Sequence, residues 1–440
     1  MISNLLNWDW VEHFDTTDAN AAAASLKKAV LTALDATVPL RKFFPRKSPV
    51  CLAKDTRVVM RARDIAKREG AKHYKELRNR ALSLIQRDFV SFNLERIRKE
   101  GQTAAWKITA ETTGKGAGGA LPLPAGCISD SAAANLCNNF YIEKVEKLRD
   151  GLGVRDTATN KTAEFSAPNH ETFEFSCVGT AAVRKALFSL ETKNATGVDG
   201  IPITVYKTAW SVLALPLVHL VNLVIRTGVW LDEWKLATII PVLKAGKPRL
   251  EVSSYRPVSL LCAISKLVER VLYDQLAAYV EACGIIPNQQ HGFRVGHGVD
   301  TALATMFNAA VKAMGHGRKV GLVTYDFSSA FDMVESSALQ TKLAWAGTST
   351  RTLLHNYMTG GRQRVRWNTS ESGVNEVNYG VRQGSVLGPL LFVLLTADLP
   401  MKVCPPLRTT PLQAPPLQAL SSEADSSVDI VQYADDDPVT

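Results

Sequence analysis

Long apolar runs are scarce in this 440-residue chain, and none reaches the ~20 residues a bilayer crossing needs. The best candidates, around 213–225 and 386–397, are interrupted by His219 and Asn222 and by Gly388 and Pro389. The N-terminus, MISNLLNWDW, has no basic stretch ahead of an apolar one, so no secretory signal is expected. Cysteine is sparse, seven residues with no Cys-x-x-Cys pair, which argues against structural zinc and for reduced thiols. These absences predict an intracellular protein, nuclear and/or cytoplasmic, with no membrane partner. Gly and Pro, at 28 and 20, are too few for collagen-like or wholly disordered chains. What remains is ordinary globular composition, with length for two or three domains.

Charge is present but unevenly placed. The chain carries +9, and residues 54–107 alone hold fifteen basic and seven acidic side chains, a net +8. A charge-rich helix is usually no more than a solvated face. Here the sign bias is strong, and Tyr74, Phe89, Phe92 and Trp106 interleave with the cations. Lys and Arg neutralise phosphates while aromatic rings stack on bases, so nucleic-acid contact is the sharper reading.

Periodicity predicts a helix through AAAASLKKAVLTALDA and helical structure from about Asp55 to Trp106, with Gly70 as the main breaker. The run GKGAGGALPLPAG (114–126) reads as a linker. A helix is expected over Asp130–Asp150, and then, from about Thr172, helices alternate with apolar strands. Candidate strands are Ala237–Leu243, Lys319–Phe327 and Asp429–Ala434, which predicts an α+β fold. The repeat PLQAPPLQA (411–419) reads as a flexible insertion.

Two segments carry chemistry. VGLVTYDFSSAFD (320–332) delivers Asp326 at the end of an apolar run, and DIVQYADDD (429–437) delivers Asp435 and Asp436 at a turn. Carboxylates beside an apolar sheet are costly unless they hold something positive. Such a set suits two Mg²⁺ ions ~3.5–4 Å apart, although Asp also favours plain turns and helix caps. Between them, GVRQGSVLGPLLF (380–392) is a glycine-bearing loop leading into an apolar helix, with Arg382, Gln383 and Ser385 able to hydrogen-bond nucleotide or template.

Taken in this order, DFSxAFD, RQGS and Tyr433-Ala434-Asp435-Asp436 resemble the palm of a reverse transcriptase. Within that superfamily the chain is most similar to jockey-like, non-LTR (LINE-type) retrotransposon polymerases. The supporting segments are ETKNATGVDGIP (191–202), WKLATIIPVLKAGKP (234–248), YRPVSLLCAISKLVER (255–270), NQQHGFRVGHGVDTAL (288–303) and GGRQRVRWN (360–368). The resemblance covers roughly residues 175–437. It implies a right-hand polymerase fold of fingers and incomplete palm over 175–440, a linker and helix over 114–174, and a basic helical region over 1–113 like the endonuclease–polymerase linker of such elements.

It also implies roles. Asp326, Asp435 and Asp436 would hold two Mg²⁺ ions, with Mn²⁺ as a substitute. Lys244 and Arg256 would grip the triphosphate of a dNTP, Gln383 would touch that nucleotide, and Phe331 would exclude a 2′-hydroxyl. Gly292, Phe293, Arg294 and Arg382 would contact an RNA template and DNA primer. His291 and His297 have no zinc-ligand spacing around them.

Two departures shape the expected activity. The first 175 residues lack endonuclease signatures, and the chain stops at Asp437-Pro438-Val439-Thr440, before a return strand and thumb. Pro438 is also a poor start for a paired strand. A truncated copy is therefore expected, impaired in nucleotidyl transfer. The alternative reading is an inactive, polymerase-derived nucleic-acid-binding fragment.

Overall fold

The computed structural model describes residues 1–37, 52–101, 120–151, 172–192, 195–324 and 329–400, with the short pieces 104–105, 108–109 and 326–327. Its helices are α1 (Ile2–Leu6), α2 (Val11–Asp15), α3 (Ala19–Thr37), α4 (Lys54–Arg68), α5 (Tyr74–Glu100), α6 (Asp130–Gly151) and α7 (Thr180–Ser189). Then come α8 (Ile203–Thr208), α9 (Trp210–Thr227), α10 (Ala263–Ala282), α11 (Val299–Gly315), α12 (Ser336–Lys342), α13 (Thr348–Met358) and α14 (Gly388–Thr396). The strands are β1 (Leu236–Leu243), β2 (Tyr255–Leu260), β3 (Gly361–Trp367), β4 (Ser370–Glu371) and β5 (Asn375–Val377). The expected α+β class holds.

Two compact units divide the chain, one of residues 1–39 and 122–440, the other of residues 40–121. The expected division at 113 and 174 therefore groups the chain differently, for a reason of packing. Helix α3 places Ala22, Leu26, Ala29, Val30 and Ala33 on one face, and these join the core that holds Leu213, Leu217 and Leu220 of α9. Helix α9 is also long and apolar enough to cross a membrane by composition, but it is spent here as a core helix. Gly228, left-handed at φ +67°, ends it.

The sheet order is β2-β1-β3-β4, with β5 also on β3. β1 and β2 form an antiparallel hairpin in which Pro241 faces Pro257, so the two missing donors share one rung. β1 and β3 run parallel. Burial alternates strictly along β3, from Gly361 to Trp367. On its inner face Gln363 Nε2 donates to Asn138 Oδ1 of α6 at 2.9 Å, and Asn138 Nδ2 donates to the Gly373 carbonyl at 2.9 Å. Trp367 is fully buried and meets Tyr255 edge-on at 5.1 Å. Trp367→Ala should lower unfolding stability by about 3–5 kcal/mol, read as a fall in the urea midpoint. An unchanged midpoint would show that this end of the sheet is not core.

The predicted strand over Lys319–Phe327 is not formed as one. Its described residues are irregular, and Val320, Leu322, Val323 and Phe327 are exposed. A strand needs a neighbour for its N–H and C=O groups, and no described strand pairs with this segment. The predicted strand Asp429–Ala434 and the repeat at 411–419 lie outside the described residues.

In the unit of residues 40–121, α4 and α5 pack together, broken near Gly70 as the sequence predicts. Asp88 ties them, accepting from Thr56 Oγ1 at 2.6 Å and the Ala53 N–H at 2.8 Å. Those bonds, helped by Arg87, hold its carboxyl at about 2. Arg57, Arg61, Lys67, Lys75, Arg78 and Arg80 are all exposed.

Candidate nucleotide and catalytic site

The RQGS loop is built into the fold by its backbone. Gly380 donates to the Val334 carbonyl at 2.7 Å and Val381 to the Phe331 carbonyl at 2.9 Å. Gly380 sits at φ +88°, and a Cβ there would lie 2.8 Å from Asp332 Cα, so only glycine permits this approach. One residue pair later the loop turns to the hairpin, where the Ser259 N–H donates to the Gln383 carbonyl at 3.0 Å. Ser259 lies three residues beyond Arg256 on β2. Main-chain bonds thus bring Phe331, Asp332, Arg382, Gln383 and the Arg256 strand to one place.

A cleft opens there, lined by Tyr141 and Val145 of α6 together with Asp332, Gln363, Arg382 and Gln383. Burial pushes the Asp332 carboxyl up to about 6, against the opposing charges of Lys144 and Arg382. Lys244 Nζ donates to the Ser253 carbonyl at 3.1 Å. Burial lowers its pKa first, and the neighbouring cations Lys144, Arg256 and Lys247 add to that. Lys144 was not singled out in the sequence. It lies seven residues after Cys137 and three after Tyr141, both buried, so helical spacing puts it near the sheet-facing side.

Several expected contacts face inward instead. Arg382 Nη2 donates to the carbonyls of Lys235 and Arg362 at 3.1 and 3.2 Å, with Gly361 leaving room for the guanidinium. Burial lowers its pKa to about 10. Arg294 grips Glu281 through Nε and Nη2 and donates to the Pro287 carbonyl at 3.0 Å. Both were expected on template or primer. Their donors are instead used to hold loops, since a buried guanidinium must satisfy its N–H groups. Phe331 is buried, its ring 5.7 Å from Phe293 and 5.3 Å from Phe392. Phe293 adopts φ +55°, and Gly292 accepts from Gln290 Nε2 at 2.9 Å, so this loop packs as a support for the Phe331 ring.

Asp326 is exposed, one residue before Phe327, whose ring meets Phe392 edge-on at 6.4 Å. Asp435 and Asp436 lie outside the described residues. Among the described residues no cluster of three His, Cys, Asp or Glu side chains is placed to hold a metal.

Glu269 is a second residue the sequence reading missed. It is 1% exposed on α10, and Oε2 accepts from the Val386 and Leu387 N–H groups at 2.6 and 3.1 Å. A signal for it existed. Ser265, Glu269, Leu272 and Leu276 share one buried helical stripe, where a carboxylate is out of place unless it has donors.

Known proteins match this same region. Residues 242–439 match the profile of the family described as reverse transcriptase (RNA-dependent DNA polymerase). The chain is 32% identical over 269 residues to the probable RNA-directed DNA polymerase from transposon X-element of Drosophila melanogaster, covering 61% of this chain and 29% of that protein. It is 31% identical over 255 residues to the RNA-directed DNA polymerase from mobile element jockey of Drosophila funebris, covering 58% and 26%. It is 34% identical over 224 residues to the probable RNA-directed DNA polymerase from transposon BS of Drosophila melanogaster, covering 50% and 24%. The chain thus spans less than a third of the length of these curated relatives.

Proposed function

We propose that the chain is a reverse transcriptase of the jockey-like, non-LTR kind, in keeping with the match over residues 242–439, and that it extends a DNA primer on an RNA template. The observation that carries this is the main-chain bond from Ser259 to Gln383, which sets the RQGS loop beside the Arg256 strand. Gln383, which lines the cleft, contacts the incoming dNTP, while Lys244 and Arg256 take its phosphates. Opposite charge and multiple N–H donors suit both cations to that task. Phe331, backed by Phe293 and Phe392, forms a rigid aromatic shelf beneath the sugar. Arg382 and Arg294 act by positioning these loops rather than by touching nucleic acid.

Asp326, Asp435 and Asp436 are all hard oxygen donors, which fits Mg²⁺ or Mn²⁺ rather than a softer metal. Divalent cations held there supply charge neutralisation at the primer hydroxyl and the leaving pyrophosphate. The chain's own part is to place Asp326 and to keep the nucleotide's phosphates against Lys244 and Arg256. The unit of residues 40–121 holds RNA or DNA by its phosphates. Such work belongs in the nucleus and/or cytoplasm.

A second reading, binding without efficient catalysis, is favoured by one observation. Asp326 sits in a segment without a described ladder, and metal ligands need a supporting shell good to about half an ångström. We therefore expect slow synthesis with intact nucleotide binding. Titrating a fluorescent dNTP tests the cleft. Lys244→Ala and Arg256→Ala should each weaken binding about tenfold, the scale of one charge-assisted hydrogen bond. Unchanged dissociation constants in both variants would remove these two cations from the nucleotide site.

A further inference from the structure

We propose that Glu269 is a proton-sensitive positioning residue, whose carboxylate latches the turn from Arg382 to Gly388, and Gln383 with it, onto helix α10. Val386 and Leu387 lie just before α14, and their N–H groups have no intrahelical acceptor. Glu269 Oε2 accepts both, at 2.6 and 3.1 Å, and Tyr357 OH approaches the same oxygen at 3.4 Å. The turn is closed from within by Ser385, whose Oγ donates to the Arg382 carbonyl at 2.7 Å and accepts the Gly388 N–H at 3.2 Å. The only other tie described for Gln383 is its carbonyl to Ser259. Beyond the Arg382 guanidinium, which is anchored on the Lys235 and Arg362 carbonyls, the loop that faces the nucleotide is held by a neutral strand bond and an ionic latch.

The charged and titratable groups around Glu269 are few. Lys266 lies on its own helix, Tyr357 on α13, and Lys235, Tyr379 and Arg382 line the same small cavity as Glu269 and Tyr357. Burial pushes the Glu269 carboxyl up to about 7, opposed by the Leu387 and Val386 N–H groups, Lys266 and Tyr357. The folded-state value thus exceeds the ordinary one. Its contribution to folding is full below the ordinary carboxyl range and is lost as pH rises through about 7. The latch has the opposite sign. Ionised, the oxygen makes charge-assisted bonds roughly twice as strong as neutral ones, and protonation weakens them. Mild acid should therefore favour the folded chain while loosening this turn, a pairing that a purely structural glutamate would not produce.

The inference rests on the reading that Gln383 faces the nucleotide, and the test separates the two. Amide hydrogen exchange of the full chain, corrected for intrinsic rates, reads the latch without nucleotide. Protection at Val386 and Leu387 should fall about tenfold between pH 8 and pH 6, and fluorescent dNTP binding should weaken in parallel. Glu269→Gln should fix both at the weak, pH-independent level with nucleic-acid affinity unchanged. Gln383→Ala tests the reading itself by its effect on dNTP affinity at pH 8. Equal pH dependence in wild type and E269Q overturns the latch. Should E269Q fail to fold, wild-type protection that stays flat across this range overturns it alone.

Discussion

Replacing Arg57, Arg61, Lys67, Lys75, Arg78 and Arg80 together by glutamine should weaken binding to RNA and DNA by on the order of 10²–10³-fold at 0.1 M salt. The unit they belong to, residues 40–121, holds twenty basic and eight acidic side chains, a net +12. The whole chain carries +9, so the remaining residues sum to −3. The six substitutions halve the charge of that unit to +6 and bring the chain to +3, which removes much of the attraction for a polyanion. Each phosphate neutralised contributes a log–log salt slope of about −0.9, so the variant should also show a flatter salt dependence. Loss should be equal across sequences, because phosphate contacts do not read bases. Glutamine keeps helix propensity, and the Asp88 bonds that join α4 to α5 are untouched. Gel-shift titrations at several salt concentrations check this. A variant that binds as wild type at every salt concentration would place the nucleic-acid surface elsewhere.

Local pattern made much of the fold legible. The alanine-rich face of α3, the break at Gly70 between α4 and α5, helix α6 and strand β1 all follow from spacing that neighbours cannot easily override. The segment at 319–327 shows the limit. Its apolar run has the composition of a strand, yet strand structure is a property of two segments, and the described residues supply only one. The site divides in the same way. The resemblance assigned Gln383 and Arg256 to one nucleotide, and the Ser259–Gln383 bond sets the loop of the first beside the strand of the second. Arg294 and Arg382 were expected to contact template or primer, because a sequence does not show whether a guanidinium meets Glu281, two carbonyls or a phosphate. Glu269 and Lys144 escaped for the converse reason, since each looks like one more charge on a helix until its face is placed.

The second large effect concerns Asp326. Its carboxylate is exposed, and among the described residues no hydrogen bond or ion pair is seen to use it for structure. Asp326→Ala should therefore leave folding and RNA affinity within experimental error. Catalysis should respond very differently. Removing one charge from the proposed metal-holding set of three would forfeit interactions realised mainly in the transition state, and a loss of about 10³-fold or more is expected. The neighbouring Phe327→Ala, which removes only a ring exposed beside Phe392, should cost far less.

RNA-templated incorporation of labelled dNTP into a DNA primer, by the 440-residue chain with Mg²⁺ and with Mn²⁺, is the most direct measurement. The expected result is slow synthesis that requires the RNA template and falls to background in Asp326→Ala, while RNA and dNTP binding persist. Synthesis that survives Asp326→Ala, or none at all from a chain that binds both ligands, would contradict an RNA-directed DNA polymerase centred on Asp326.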